Sequence, residues 1–236
     1  MMKKLLIISI CVFTMASSQA QTRLPFDVTH ITTFDEPWAM AFLPDGRILV
    51  TEKKGSLQIV GQDGESFRDV RGLPDVDYGG NWFVYVSYAE GGAGATRGAA
   101  VARGVLTLAE QGGTLSDVEV IWRQYPKVIG YGHYGHRMVF DDEGYLWISS
   151  GDRQKFTPAQ DIQSNIGKVL RLHDDGSIPS DNPFVNYRDQ DSFVDDEGVY
   201  TQIWTRGHRN PLGLNFDLDG QLWVVEMGPA GGDELN

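Results

Sequence analysis

Two histidines in a glycine-rich loop open the chemical reading of this chain. Gly130-Tyr-Gly-His-Tyr-Gly-His-Arg137 sets His133 and His136 among turn glycines and tyrosines. Imidazole titrates near neutral pH, so either ring suits acid–base work; the bland alternative is two surface histidines. Three apart in an irregular loop, they make only a weak metal pattern. Downstream, Gly151-Asp152-Arg153 offers a carboxylate that could orient a histidine, contact a cofactor or simply end a strand. Gly207-His-Arg-Asn-Pro211 places the fixed donor fork of Arg209 beside Asn210, an amide that donates and accepts. Such a pair suits carboxylates or quinone oxygens, and otherwise a solvated turn. Gly228-Pro-Ala-Gly-Gly-Asp-Glu-Leu-Asn236 joins a stiff backbone to two adjacent acids, Asp233 and Glu234. Calcium accepts carbonyl and carboxylate oxygens in flexible geometry, so this loop is a calcium candidate, though not an EF-hand.

These loops must be carried by strands. Trp38–Glu52, Arg137–Gly151 and Pro211–Glu226 share one pattern: an apolar strand, an acidic-Gly turn, then a strand rich in β-branched and aromatic residues. A glycine at such a turn accepts positive φ without penalty, which makes the pattern a hairpin signal. The turn glycines Gly46, Gly144 and Gly220 lie 98 and 76 residues apart. Each separation reads as two periods of a four-stranded blade of about 40–50 residues. Asn81–Tyr88, Val101–Leu108 and Val118–Trp122 supply strands between the first two hairpins, while Leu57–Val60 and Gly167–Leu172 read as third or fourth strands. No amphipathic helix longer than two turns is evident. The pattern predicts an all-β fold built from repeated small sheets, a β-propeller, with a β-sandwich as the alternative. Residues 177–198 form a long polar, acidic connection, of the kind that is functional or crosses between elements.

Composition narrows the classes. The 236 residues include 20 Lys+Arg and 32 Asp+Glu, a formal charge of −12, which argues against nucleic acid as the partner. The 28 glycines and 11% aromatic content suit short strands and tight turns. Residues 1–20 have a basic start, an apolar run from Leu5 to Met15 and small residues before Gln21. That is the layout of a secretory signal peptide, with an uncleaved anchor as the alternative. Cleavage there would leave 21–236 as one domain, take away Lys3 and Lys4 to give a charge of −14, and remove Cys11, the one cysteine. The expectation is an exported, periplasmic or secreted protein with no stable membrane insertion and stability from packing or metal, not disulfides.

Taken in order, His-Tyr-Gly-His-Arg-Met, Gly-Asp-Arg, Gly-His-Arg-Asn-Pro and Gly-Pro-Ala-Gly-Gly-Asp-Glu-Leu-Asn resemble the soluble quinoprotein glucose/sorbosone dehydrogenases, most of all their aldose sugar dehydrogenase branch. The resemblance runs from about Leu24 to Asn236. It implies a six-bladed β-propeller that binds pyrroloquinoline quinone (PQQ) and Ca2+ and oxidises the anomeric carbon of aldose sugars to lactones, passing electrons to an external acceptor. By resemblance, His133 is the catalytic base, Asp152 its partner and Arg209 a further catalytic group, and His133, Asp152, Arg209 and Asn210 contact the cofactor. The carbonyls of Gly228 and Pro229 would hold calcium, with Asp233 and Glu234 near a second metal.

The chain departs from that pattern twice. Asp75-Val-Asp-Tyr-Gly-Gly80 runs straight into Asn81, where family members carry a further strand and a cofactor-contacting glutamine. The family pattern also continues for roughly two blades past Asn236. The expectation is therefore an incomplete propeller of about four blades, one lacking a strand, with a homo-oligomer as one way to cover open edges. Two other functions stay open at this point: a calcium-dependent sugar lactonase in which His133 activates water, and a carbohydrate- or metal-binding remnant without activity.

Overall fold

The structure, a computed structural model, describes residues 29–43, 45–54, 56–64, 66–67, 70–71, 76–77, 81–108, 113–187 and 198–236. The expected leader, Cys11 and the junction before Asn81 lie outside the described residues.

Among the described residues, sixteen strands form four sheets. The first runs β1 (Pro37–Phe42), β2 (Ile48–Glu52), β3 (Leu57–Val60), β4 (Ser66–Phe67) in that order. The second holds β5 (Val70–Arg71), β6 (Val76–Asp77), β7 (Asn81–Gly91), β8 (Arg97–Leu108) and β9 (Gly113–Arg123). Its body is a meander of three long strands, β7, β8 and β9, with the two-residue β5 and β6 at its side. The third is β10 (Gly135–Phe140), β11 (Leu146–Ser150), β12 (Lys168–Leu172) and β13 (Ile203–Arg206). The fourth is β14 (Pro211–Phe216), β15 (Leu222–Glu226) and β16 (Glu234–Leu235). Small antiparallel meanders follow one another along the chain as successive blades of a β-propeller.

The core lies between sheets, and the alternation of side chains explains how one strand serves two interfaces. Leu146, Ile148, Leu170 and Leu172 pack with Ala99, Val101 and Trp122 of the second sheet. Their neighbours Trp147 and Val169 face the other way, onto Val224, Leu214 and Phe216 of the fourth. On the far side, Leu49, Leu57 and Ile59 of the first sheet meet Leu106 of the second. All five residues of β11 and of β12 are buried, as befits strands covered on both faces. On β1, by contrast, Trp38, Met40 and Phe42 are each about two-thirds exposed, at 68%, 65% and 66%.

The hairpin turns are fixed by one carboxylate each. Asp141 accepts the N–H groups of Glu143 and Tyr145 through Oδ1, while Oδ2 accepts the Trp147 indole at 2.7 Å. Asp217 does the same for Asp219, Gln221 and the Trp223 indole at 2.6 Å. An aspartate, a glycine three residues on and a tryptophan three beyond that make one turn unit. At the first hairpin Asp45 turns instead to the Arg47 guanidinium, at 2.7 Å.

One sequence expectation is corrected. The 98 residues from Gly46 to Gly144 do contain one intervening sheet, but the 76 from Gly144 to Gly220 do not. The third sheet alone fills that span, because long segments enter between β11 and β12 and between β12 and β13. Strand β13 was not anticipated. The polar connection is partly built in: buried Asn182 donates to the carbonyls of Arg171 and Thr201, both at 2.9 Å.

Replacing Asp141 with Ala leaves two amides and an indole N–H without their acceptor. The expected cost is about 1–3 kcal/mol, read from the urea midpoint, and larger than for Asp217→Ala at the more exposed turn.

Candidate active site

The β10–β11 hairpin brings the two ends of the candidate site together. Gly135 pairs with Ser150, so the loop before β10 lies against the segment after β11. The Gly151 N–H donates to Tyr134 at 2.9 Å and the Arg153 N–H to the His133 carbonyl at 3.1 Å. The approach leaves no room for side chains: a Cβ on Gly151 would sit 2.3 Å from the His133 carbonyl oxygen. Backbone strain collects in these two segments. His133, His136, Arg153, Gln154 and Phe156 all have φ between 47° and 58°, the left-handed region that non-glycine residues avoid. Such residues cost about 1–3 kcal/mol each and persist where surrounding contacts over-determine them.

Those contacts centre on Asp152. Its Oδ1 lies 2.7 Å from His133 Nδ1 and also accepts the Gln154 N–H at 2.8 Å. The two side chains are nearly buried, at 8% and 2% exposure. An ionised carboxylate only accepts, so Nδ1 carries the proton and Nε2 keeps a free lone pair. On its backbone side, the Asp152 N–H donates to the Arg209 carbonyl at 2.7 Å. One residue therefore joins the His133 loop of the third sheet to the Arg209–Asn210 loop that leads into the fourth.

Arg209 and Asn210 are held by a second histidine–carboxylate pair, one the sequence reading missed. Glu226, the last residue of β15, takes the Arg209 N–H at 2.6 Å on Oε1 and His208 Nδ1 at 2.8 Å on Oε2. The other ring nitrogen of His208 lies 2.7 Å from the Thr205 hydroxyl, so both nitrogens are engaged and this imidazole is not free for catalysis. Burial works to raise the Glu226 pKa, but the bonds from His208 and from the Arg209 backbone outweigh it and hold the carboxyl below its usual value. The signal was present in the repeats, because each second strand ends at an acid: Glu52, Asp152 just beyond Ser150, and Glu226. Glu52 plays the corresponding part in the first sheet, accepting the Asp35 N–H at 2.8 Å.

Arg209 and Asn210 also keep polar atoms in reserve. Arg209 gives Nη1 to the Met227 carbonyl at 2.7 Å, yet its Nε is buried without a partner, as is Oδ1 of Asn210. A buried donor and a buried acceptor left open on successive residues cost about 1–3 kcal/mol each unless a ligand meets them. The Gly228–Glu234 loop is closed on itself. The Gly228 N–H donates to Asp233 Oδ1 at 3.0 Å and the Gly232 N–H to the Pro229 carbonyl at 3.0 Å. Any Cβ on Gly228 would collide with the Gly232 carbonyl at 1.6 Å. Asp233 thus serves as the clasp of the loop, and Glu234 is exposed in β16 opposite Glu226. Among the described residues, no three His, Cys, Asp or Glu side chains converge on a metal position.

His136 does not match His133. Burial, with help from Arg137 and Arg153, pushes its pKa down to about 4, and its Nδ1 is buried without a partner. It stands as a neutral ring beside Tyr134, with 5.7 Å between ring centroids.

The chain that carries this arrangement is similar to known proteins. The family model described as Glucose / Sorbosone dehydrogenase matches residues 34–236, and the chain belongs to that family. It is 35% identical over 219 residues to "Aldose sugar dehydrogenase YliI" of Escherichia coli, covering 86% of this chain and 56% of that protein. Among solved structures it is similar to the soluble aldose sugar dehydrogenase of E. coli in the apo-form, at 34% identity and TM-score 0.73, over 86% of this chain and 60% of that one. It is also similar to the PQQ-bound aldose sugar dehydrogenase of Streptomyces coelicolor, at 25% identity and TM-score 0.66, over 87% of this chain and 60% of that one. The chain spans about half the length of the curated relatives it matches, 56% in the E. coli case.

The His136 ring yields a pH prediction. Its folded pKa of about 4 lies below the ordinary 6.5, so the unfolded chain binds the proton first as the solution is acidified. Its contribution is fully present above pH 6.5 and is lost as pH falls toward 4. His136→Leu should flatten the stability–pH curve in that window, read from urea midpoints; an unchanged slope would show that the ring is not buried neutral.

Proposed function

We propose that this site oxidises aldose sugars at the anomeric carbon to lactones with PQQ and Ca2+ as cofactors, passing the electrons to an external acceptor. The observation that carries the reading is the double engagement of Asp152: its carboxylate grips His133 Nδ1 and its backbone grips Arg209. An acid–base pair and an unsatisfied Arg–Asn pair are thereby held as neighbours.

The residues present fit the cofactor. PQQ is a planar quinone rich in carboxylate and carbonyl oxygens, and it needs donors of the Arg209 Nε kind. The amide of Asn210, the next residue along the chain, also has an unpartnered buried oxygen. When bound, PQQ would supply the hydride acceptor that no side chain can provide. Calcium would be held through the backbone oxygens of Gly228 and Pro229, with Asp233 and Glu234 near a second metal.

The chain's own part is proton chemistry. His133 Nε2, left free by the Nδ1 bond, takes the proton of the anomeric hydroxyl. Asp152 keeps the ring in that tautomer and stabilises the imidazolium that forms, the orienting role of the third member of a catalytic triad. The Arg209 guanidinium stabilises negative charge where it develops. Near-complete burial of the His133 and Asp152 side chains keeps bulk water from competing for this bond. Export through the 1–20 leader is part of the proposal, and no described helix is long and apolar enough to cross a membrane.

His133→Asn, loaded with PQQ and calcium and given an aldose and a reducible dye, should lose about 10²–10⁴ in kcat, the usual worth of a general base. PQQ binding, followed by absorbance, should stay within about threefold, since the orienting residues remain. Retained dye reduction would reject His133 as the base. Lactone hydrolysis without PQQ would instead favour a hydrolase.

A further inference from the structure

Arg153 is the residue that the proposed reaction does not use, and it is among the most buried side chains, at 1% exposure. A guanidinium that deep normally meets a carboxylate. Here it donates to backbone carbonyls. Nε reaches Gly132 at 2.9 Å, Nη2 reaches Gly130 at 2.6 Å, and Nη1 reaches Arg97 at 2.8 Å, with Gln124 Oε1 more distant at 3.5 Å. Its plane lies over the Tyr134 ring at 3.6 Å from the centroid. Gly130, Gly132 and Tyr134 belong to the loop that carries His133, while Arg97 opens β8 and Gln124 directly follows β9 in the second sheet.

From this geometry we infer that Arg153 is a positioning residue for His133: it locks the 130–134 loop in the strained shape that holds Nε2 at its working place, and it anchors that loop to the neighbouring sheet. The inference rests on His133 being the base.

Three facts favour positioning over filling. The contacts are fork-shaped: nitrogens at fixed angles reach carbonyls on both sides of Tyr131. A lysine, a single point donor, cannot reproduce this. The carbonyls of Gly130 and Gly132 both accept from this one side chain, so without it the loop would have two part-buried acceptors to turn outward. Finally, Arg153 follows Asp152 directly, and its own N–H holds the His133 carbonyl at 3.1 Å. Adjacent residues thus fix the two ends of the same histidine: Asp152 the ring, Arg153 the backbone.

The test compares Arg153→Lys with Arg153→Ala in the full chain, the latter with and without millimolar guanidinium ion. Hydrogen–deuterium exchange of the peptide covering 129–136 should rise about tenfold in both variants while β12 stays protected, because only a local opening is released. With PQQ, calcium and an aldose, kcat should fall about a hundredfold with KM within about threefold, the pattern of a misplaced group. Guanidinium should restore part of both readouts in Arg153→Ala and neither in Arg153→Lys. Unchanged exchange in 129–136 overturns the inference. So does exchange rising equally through β10–β13, or a variant that stays unfolded even with guanidinium, since either assigns Arg153 to the fold as a whole. If the unaltered chain oxidises no sugar, the proposed function fails, while the exchange comparison still decides whether Arg153 fixes the loop.

Discussion

The site depends on one hydrogen bond, from His133 Nδ1 to the Asp152 carboxylate at 2.7 Å. Without it the imidazole has no fixed tautomer and the loop around it has less to offset its strain. The geometry of the bond follows from β-sheet register. Gly135 opposite Ser150 sets the hairpin's open end so that residues 133 and 152 face each other. A slip of one residue would turn the side chains of β11 to the opposite faces and break the pairing with both neighbouring sheets.

The same device appears three times with different partners. A carboxylate at the end of a second strand grips the loop that enters the first strand: Glu52 with Asp35, Asp152 with His133, Glu226 with His208 and Arg209. In the first sheet Glu52 takes the Asp35 N–H from that loop and also accepts from the side chains of Ser56 and Gln58. In the fourth it engages an imidazole whose other nitrogen is also occupied. Only in the third does the contact leave a histidine nitrogen free. Function is thus a local variation on a structural element that every hairpin of this type needs, which is why the fold and the site cannot be separated energetically. The interleaved cores of Leu146, Ile148 and Leu170 against one neighbour, and Trp147 and Val169 against the other, make the third sheet the best-buried part of the described chain. Each fully buried aliphatic there contributes about 1.5–3 kcal/mol, enough together to support five strained backbone positions nearby.

Much of this was legible in the sequence. The three acid-Gly hairpins are local patterns of period two, and they form at Gly46, Gly144 and Gly220 as read. His133 and Asp152 are joined by a short hairpin, so their meeting follows from strand pairing. The sheet count between Gly144 and Gly220 was misread because spacing alone does not distinguish a second blade from long segments inserted into one. Those segments, residues 151–167 and 173–202, lack regular apolar alternation. Glu226 was hidden for a different reason: a strand-end acid looks the same whether it faces solvent or a buried histidine. Arg153 carried no local signal, since its carbonyl partners Gly132, Gly130 and Arg97 lie 21, 23 and 56 residues away.

The most direct measurement is the tautomer of His133 in the full chain at neutral pH, read from the two ring-nitrogen NMR shifts and their couplings to the ring protons. The account predicts a proton on Nδ1 and an unprotonated Nε2, with that preference lost in Asp152→Asn. A proton on Nε2 in the unaltered protein would leave no free base at the site and would contradict the account.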